Sequence, residues 1–363
     1  MKFVHCADVH IGMEFALNKL KSRQRKAEIL QSFLRLVEYC RDEAVDILLI
    51  AGDLFDNENV DAAVVEQVKS ALGSIPQTDV YVAPGNHDAY TITSPYRDEG
   101  WSDNVTIFNG TPRVIERADK GYRIWGGGFE SCFVMNRLLM GVRLPKDELV
   151  NIGILHGQLV GKNGKSEYNA ITDSDIEKSG IDYLALGHVH KQTGVQRIGD
   201  TLYAYSGTTE GQGFDEEGIR GFYTGELSKQ LLGRHELIAE YVSTSRRRYY
   251  HVNVDVTGAL NRAQVVDRIC SAAQSVTEDD EFAVLLTENR AEDNLYKVTL
   301  TGDISEEAAV SVDELSAQLF GKFYYIKLRD NTRLLIDYEE LAKENPLKGM
   351  YTARMLDNIR MQE

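Results

Sequence analysis

Ile47-Leu48-Leu49-Ile50-Ala51-Gly52-Asp53-Leu54-Phe55-Asp56 is the stretch on which the fold turns. Its four apolar residues form a run of strand length, continuous rather than alternating, as expected of a strand covered on both faces. The run breaks into a glycine turn that carries Asp53 and Asp56. The same arrangement recurs along the first 190 residues. Phe3-Val4 leads to Asp8-Val9-His10, and Val80-Tyr81-Val82 leads to Gly85-Asn86-His87-Asp88. Ile152–Leu155 leads to His156-Gly157, and Tyr183–Leu186 leads to Gly187-His188-Val189-His190. In sheets sandwiched by helices, sites are built at the carboxyl ends of strands. Five of the eight histidines fall in these clusters.

Between the clusters the chain alternates strand and helix. Ile29, Leu30, Phe33, Leu34, Val37 and Cys40 recur at helical spacing, predicting a helix within residues 22–45. Asp61 is placed to cap a second helix holding Val64, Val65, Val68 and Leu72. From about residue 104 shorter strands follow, including Arg113–Glu116 and Arg123–Trp125 across Asp119-Lys120-Gly121. Val195–Ile198 and Leu202–Tyr205 flank Gly199-Asp200 as a hairpin. The expected fold class is α/β: a central mixed β-sandwich flanked by helices, over residues 1–245.

After Arg246-Arg247-Arg248 the character changes. Val252, Val254 and Val256 alternate, a helical stretch runs from Asn261 to Ser275, and strand-like Phe282–Leu286 and Tyr296–Leu300 follow. Helical Glu306–Leu319 and strand-like Tyr324–Leu328 complete a β-α-β-β-α-β order, a small α+β ferredoxin-like capping domain over residues 246–335. Residues 336–363 read as a helical tail in which Leu341, Leu347, Met350, Met355, Leu356 and Ile359 make an apolar stripe. That stripe either docks on its own domain or lies in a partner's groove.

At 363 residues the chain can bury a large core without disulfides. Cys6, Cys40, Cys132 and Cys270 have no CxxC spacing and read as reduced thiols. The first strand starts at Lys2, leaving no room for a cleavable leader, and no apolar stretch approaches membrane-spanning length; a cytoplasmic, non-membrane protein is expected. A net charge of −16 argues against diffuse nucleic-acid binding, although divalent cations at a site would invert the local field. Two basic clusters, Lys19–Lys26 and Arg246–Arg248, either face solvent or track a phosphate backbone.

The five clusters hold every ligand type of a two-metal centre. Two divalent cations about 3.5–4 Å apart need a bridging carboxylate and further ligands for each. Asp53, in its glycine turn, is the natural bridge. Asp8 and His10, two apart on an extended segment, would reach the same metal; His188 and His190 repeat that spacing, and Asn86 offers a neutral oxygen. Mixed imidazole and carboxylate ligands favour manganese, iron or zinc over magnesium. Any one motif alone would be a capped turn or a hydrogen-bonded histidine; the ordered set points to a metal centre.

These motifs resemble those of the calcineurin-like metallophosphoesterases. The wording HCADVHIG, ILLIAGDLFD, VYVAPGNHDAY and YSGTTEGQGFDEEGIRGFY is similar to the SbcD nuclease subfamily, over roughly residues 1–225, with a divergent YhaO-like branch as an alternative. The resemblance implies that Asp8, His10 and His190 hold one metal, that Asn86, His156 and His188 hold the other, and that Asp53 bridges them. His87 would act on the leaving group and Asp88 would orient His87; Asp56, whose position points away from the face of Asp53, reads as structural or as a support behind a ligand. It further implies two Mn²⁺ ions, endonuclease action on single strands or hairpins, exonuclease action on DNA ends, a homodimer, and a helical segment gripping the coiled-coil base of an SMC-like ATPase of the SbcC type. The expected function is therefore a Mn-dependent DNA nuclease of double-strand-break or hairpin processing. The alternative is a phosphodiesterase or phosphatase for small nucleotides or other phosphoesters, which would show a lidded pocket in place of an open basic groove. A non-catalytic scaffold is a third reading, which the full ligand set does not support.

Overall fold

The computed structural model describes residues 1–161, 164–229, 235–278, 284–309, 311–335, 338–344 and 346–361. The chain divides into two units. The first runs from Met1 to Arg248 and includes a short return segment around Val284–Glu288; the second takes the rest from Tyr249.

The first unit opens with the predicted alternation: β1 (Lys2–Cys6), α1 (Lys19–Asp42), β2 (Ile47–Ile50), α2 (Ala62–Gly73), β3 (Asp79–Val82) and β4 (Val105–Ile107). The Asp61 side chain accepts a hydrogen bond from the Ala63 amide and caps α2, as expected. A second strand series follows: β5 (Arg113–Arg117), β6 (Tyr122–Gly127), β7 (Val150–His156), a short ribbon of β8 (Gln158–Val160) and β9 (Ala170–Thr172), then α3 (Asp173–Ser179), β10 (Tyr183–Gly187), β11 (Gln196–Ile198) and β12 (Thr201–Tyr205). Long β13 (Gly221–Lys229) and β14 (His235–Ser243) return to the first series.

Two sheets result. The return segment's strand is numbered β16 (Val284–Leu285), because β15 (Tyr249–Asp255) of the second unit precedes it. One sheet has the order β16-β14-β13-β1-β2-β3-β4, the other β11-β12-β10-β7-β6-β5. Strand alternation explains how they pack. From β2, Ile47 and Leu49 join Phe3, Tyr81, Tyr122, Ile152 and Tyr183 in the core between the sheets. Leu48 and Ile50 point the other way, onto Phe33, Leu36, Val65 and Val68 of the helices. Every residue of β2 is buried, which is why its sequence is a continuous apolar run. Each such side chain contributes about 1.5–3 kcal/mol on leaving water. β11–β12 is the predicted hairpin, and β5–β6, expected as two short strands, pairs antiparallel as well.

The second unit corrects the expected ferredoxin-like order. β15, β17 (Leu295–Thr301) and β19 (Tyr325–Asp330) are mutually parallel in the order β15-β17-β19. The helices α4 (Arg262–Glu278) and α5 (Val312–Gln318) supply the two crossovers. The fourth expected strand, Phe282–Leu286, appears only as β16, and it pairs in parallel with β14 of the first unit; residues 282–283 lie outside the described residues. A helical crossover between each successive pair of strands forces parallel pairing. Tyr250, Val252, Val254, Tyr296, Val298 and Leu300 share one buried face under Val265, Ile269 and Leu315. A small pair, β18 (Asp303–Ile304) with β20 (Arg333–Leu334), follows the main strands. The tail is helical as expected, as α6 (Tyr338–Glu344) and α7 (Pro346–Arg360). Leu347, Met350, Tyr351 and Ile359 of α7 are exposed. Among the described residues, no helix is long and apolar enough to cross a membrane. Cys6 and Cys40 are buried, Cys132 is exposed, and all four cysteines are free thiols.

Candidate metal centre

Register brings the five motifs to one place. Cys6 pairs with Ile50, and Ile50 with Val82, so parallel β1, β2 and β3 end level, and Asp8, Asp53 and Asn86 follow close behind. In the other sheet His156 pairs with Gly187, so His188 and His190 leave β10 beside the end of β7. Backbone pairing continues past the first strand ends: the Asp8 amide donates to Gly52 O (3.0 Å), His10 to Asp53 O (2.9 Å) and Ile11 to Leu54 O (2.9 Å). The two loops are therefore joined by the same kind of backbone hydrogen bonds as the strands before them.

The local backbone departs from the extended geometry expected for Asp8 and His10. Both lie in the left-handed region, with φ of 50° and 54°, as do Asp53 (50°) and His188 (99°). Four of the six non-glycine residues with positive φ among the described residues are thus ligand candidates. Each such conformation costs on the order of 1–3 kcal/mol, an outlay that clusters where side chains must be aimed. Gly85 serves the same end by having no side chain: a Cβ there would sit 2.2 Å from Asp53 Oδ1.

The side chains converge. Asp53 Oδ2 lies 3.4 Å from His156 Nε2 and 3.8 Å from His10 Nε2, between the two groups expected to share it. Asn86 Oδ1 is 2.9 Å from His156 Nε2 and 3.3 Å from His188 Nδ1. Ligand atoms of Asp8, His10 and His190 lie within 4.8 Å of one another, as do those of Asp8, Asp53 and His156, and those of His10, Asp53 and His87. The imidazoles are held from behind. His156 Nδ1 donates to Ala51 O (3.0 Å), and His87 Nδ1 to Asp56 O (3.0 Å). His10 Nδ1 lies 3.2 Å from Asp56 Oδ1 and His190 Nδ1 2.6 Å from Glu216 Oε1. Such outer contacts turn the opposite nitrogen toward the centre.

These residues fit divalent cations. His10 Nε2 is buried and, among the described residues, has no hydrogen-bond partner, a costly state for a polar nitrogen unless a cation occupies its lone pair. Burial pushes the Asp8 and Asp53 carboxyls up, against the lowering pull of the neighbouring imidazoles. Burial, with His156 and His190 adding, pushes His188 down to about 4. Burial also lowers His156. For His190, burial is the largest influence and pulls down, but the Glu216 hydrogen bond and the charges of Asp8, Glu216 and Asp53 together outweigh it, raising the imidazole to about 9. Carboxylates and imidazoles crowded out of water call for added positive charge.

Two expectations change. The Asp88 carboxylate does not touch the His87 ring; it accepts from the Gly85 (2.7 Å), Asp53 (3.2 Å) and Phe55 (3.1 Å) amides and from Tyr96 Oη (2.5 Å). It ties the Asp53 turn to the Gly85 turn, while the Asp56 carbonyl orients His87. The reason is burial: Asp88 is 0% exposed whereas His87 opens to solvent. The basic clusters also turn inward in part. Arg25 is fully buried, ion-paired to Glu28 (2.6 Å) and Glu210 (3.1 Å), and buried Arg247 pairs with Glu28 (2.8 Å). Sequence reading also passed over Glu216 and Tyr168, whose ring lies 4.8 Å from that of His188. Neither sits in a motif with ligand spacing; the only signal for Glu216 was its place in the distinctive 205–223 wording.

An α/β sandwich carrying a carboxylate–imidazole cluster at its strand ends defines a metal-dependent phosphoesterase. The chain belongs to the calcineurin-like phosphoesterase family, whose model matches residues 1–192. It is 29% identical over 276 residues to the uncharacterized metallophosphoesterase YhaO of Bacillus subtilis, covering 72% of this chain and 64% of that protein. It is 26% identical over 267 residues to the DNA double-strand break repair protein Mre11 of Methanopyrus kandleri, covering 66% and 56%. It is 25% identical over 256 residues to the SbcD component of nuclease SbcCD of Bacillus subtilis, covering 60% and 64%. The chain thus matches less than two thirds of the length of each of these relatives. A solved dimetal phosphatase from Danio rerio is 13% identical, with a TM-score of 0.43, covering 66% of this chain and 98% of that one.

Proposed function

We propose that this metallophosphoesterase is a Mn-dependent DNA nuclease that processes ends or hairpins together with an SMC-like coiled-coil ATPase. The observation that supports the chemistry is the chain of close contacts that links Asp8, His10, Asp53, Asn86, His156, His188 and His190 at the strand ends. The DNA substrate is supported by similarity to Mre11 and to the SbcD component of SbcCD, and the ATPase partner by the exposed apolar residues of α7. A homodimer belongs to the same reading.

Asp8, His10 and His190 would hold one cation, and Asn86, His156 and His188 the other, with Asp53 between them. When bound, the cations supply charge that lowers the pKa of a water and offsets negative charge building on the phosphate. The chain's own groups do the rest. Asp56 O fixes His87 through Nδ1 and leaves Nε2 available on a ring that is exposed yet beside His10 and Asp53, where it can protonate the departing oxygen. Asp88 stands behind as a buttress for both turns.

A second reading, a phosphodiesterase for small nucleotides, is favoured by a different observation. Arg25 and Arg247 are consumed by internal ion pairs, and a chain with a net charge of −16 has fewer cations left for a long backbone. The test is cleavage of hairpin DNA, linear duplex and a cyclic nucleotide side by side in Mn²⁺. Turnover of the cyclic nucleotide alone would replace the first reading with the second.

A further inference from the structure

We propose that Glu216 is a positioning residue for the metal centre, and that the segment from Thr208 to Glu216 is a brace built to hold His190. The inference rests on the reading of the centre given above. Glu216 is buried, and its two oxygens have separate tasks. Oε1 lies 2.6 Å from His190 Nδ1. Oε2 accepts from Thr208 Oγ1 (3.2 Å) and from the Gln212 amide (3.0 Å), which fixes the carboxylate's orientation. A carboxylate so placed accepts a proton-bearing Nδ1, so His190 can offer only Nε2 toward Asp8 and His10.

The same segment grips its surroundings at three more points. The Thr208 amide donates to His190 O (3.2 Å), so ring and backbone of His190 are held by one stretch of chain. Gln212 Nε2 donates to Asp8 O (3.3 Å), tying the brace to a second ligand candidate. From behind, buried Glu210 accepts from Arg25 Nη2 (3.1 Å) and from the Arg246 (2.6 Å) and Arg247 (3.2 Å) amides, and Arg25 also donates to Gly211 O (2.6 Å). This accounts for the inward-turned arginines. Arg25 and the backbone at residues 246–247 anchor a loop whose other end steers a histidine.

The test is Mn²⁺ titration calorimetry on chelator-stripped protein, with metal content by mass spectrometry and melting temperature in chelator. Wild type should bind two Mn²⁺. Glu216→Ala should lose some apo stability through its stranded donors but bind one of the two ions roughly 10- to 100-fold more weakly, a loss exceeding the fall in stability measured in chelator. Glu216→Gln, which keeps an acceptor but not the charge, should recover part of that affinity. If Glu216→Ala does not fold, Glu216→Gln carries the test, with several-fold weaker binding at one site expected. Wild-type affinity at both sites in a folded variant would overturn the proposal, as would an affinity loss matched by an equal loss of apo stability. A wild-type protein that binds no metal would instead refute the reading of the centre itself, so the two failures are distinguishable.

Discussion

Replacing Gly85 with alanine tests whether the packing behind Asp53 sets metal affinity. A Cβ at residue 85 would lie 2.2 Å from Asp53 Oδ1, 2.8 Å from the Asp53 amide nitrogen and 2.9 Å from Asp53 Cγ. The side-chain oxygen could swing away, but the amide belongs to a turn held by Asp88 and cannot. Overpacking of this kind costs about 1–3 kcal/mol. Because the backbone at Gly85 is not in the left-handed region, alanine would recover about 0.4–1 kcal/mol by restricting the unfolded chain. The apo protein should therefore lose on the order of 1–2 kcal/mol and still fold. The greater effect falls on Asp53, which must give up its place between His156 and His10. If 1–3 kcal/mol of clash must be relieved whenever a cation draws the carboxylate back, affinity falls roughly 5- to 150-fold, at 1.4 kcal/mol per decade. Titration of stripped protein with Mn²⁺, beside chelator melting curves, reads both quantities. Wild-type Mn²⁺ affinity in Gly85→Ala would refute the argument that this glycine exists to admit the Asp53 carboxylate.

His87→Ala should keep both cations by mass spectrometry and lose about 10²- to 10⁴-fold in turnover; unchanged turnover would remove His87 from the mechanism. Asp53→Asn should lose at least one cation after chelation and dialysis, and full occupancy would exclude it as the bridge. Asp88→Ala strands three buried backbone amides at about 1–3 kcal/mol each, so it should lower the melting temperature even in chelator. A purely catalytic loss with unchanged melting would instead restore Asp88 as a partner of His87. Arg25→Met leaves Glu210 with one charge partner fewer in a buried site and should cost about 3–5 kcal/mol of stability, read by denaturant unfolding.

The sequence by itself determined the strands and the residue types at their ends. A continuous apolar run such as Ile47–Ile50 can be stable only when covered on both faces, and a glycine turn bearing aspartate can follow it only where polar atoms have work to do. Those are local demands, and they are written locally: the α2 cap, the β11–β12 hairpin and the five motifs were all legible. The pairing of distant strands was not. Nothing within residues 282–286 says that Val284 and Leu285 will pair with β14 rather than beside β15, because a two-residue strand takes its partner from whichever edge stands open. The fates of charged side chains were equally hidden. Asp88 and His87 are neighbours in the chain, yet one faces backbone amides and the other solvent, since the bend at residues 86–88 turns successive side chains apart. Glu216 meets His190, and Arg25 meets Glu210, across separations of 26 and 185 residues. Contacts of that span carry no periodic signal, because they follow from how sheets stack and loops return, and only the assembled chain decides them.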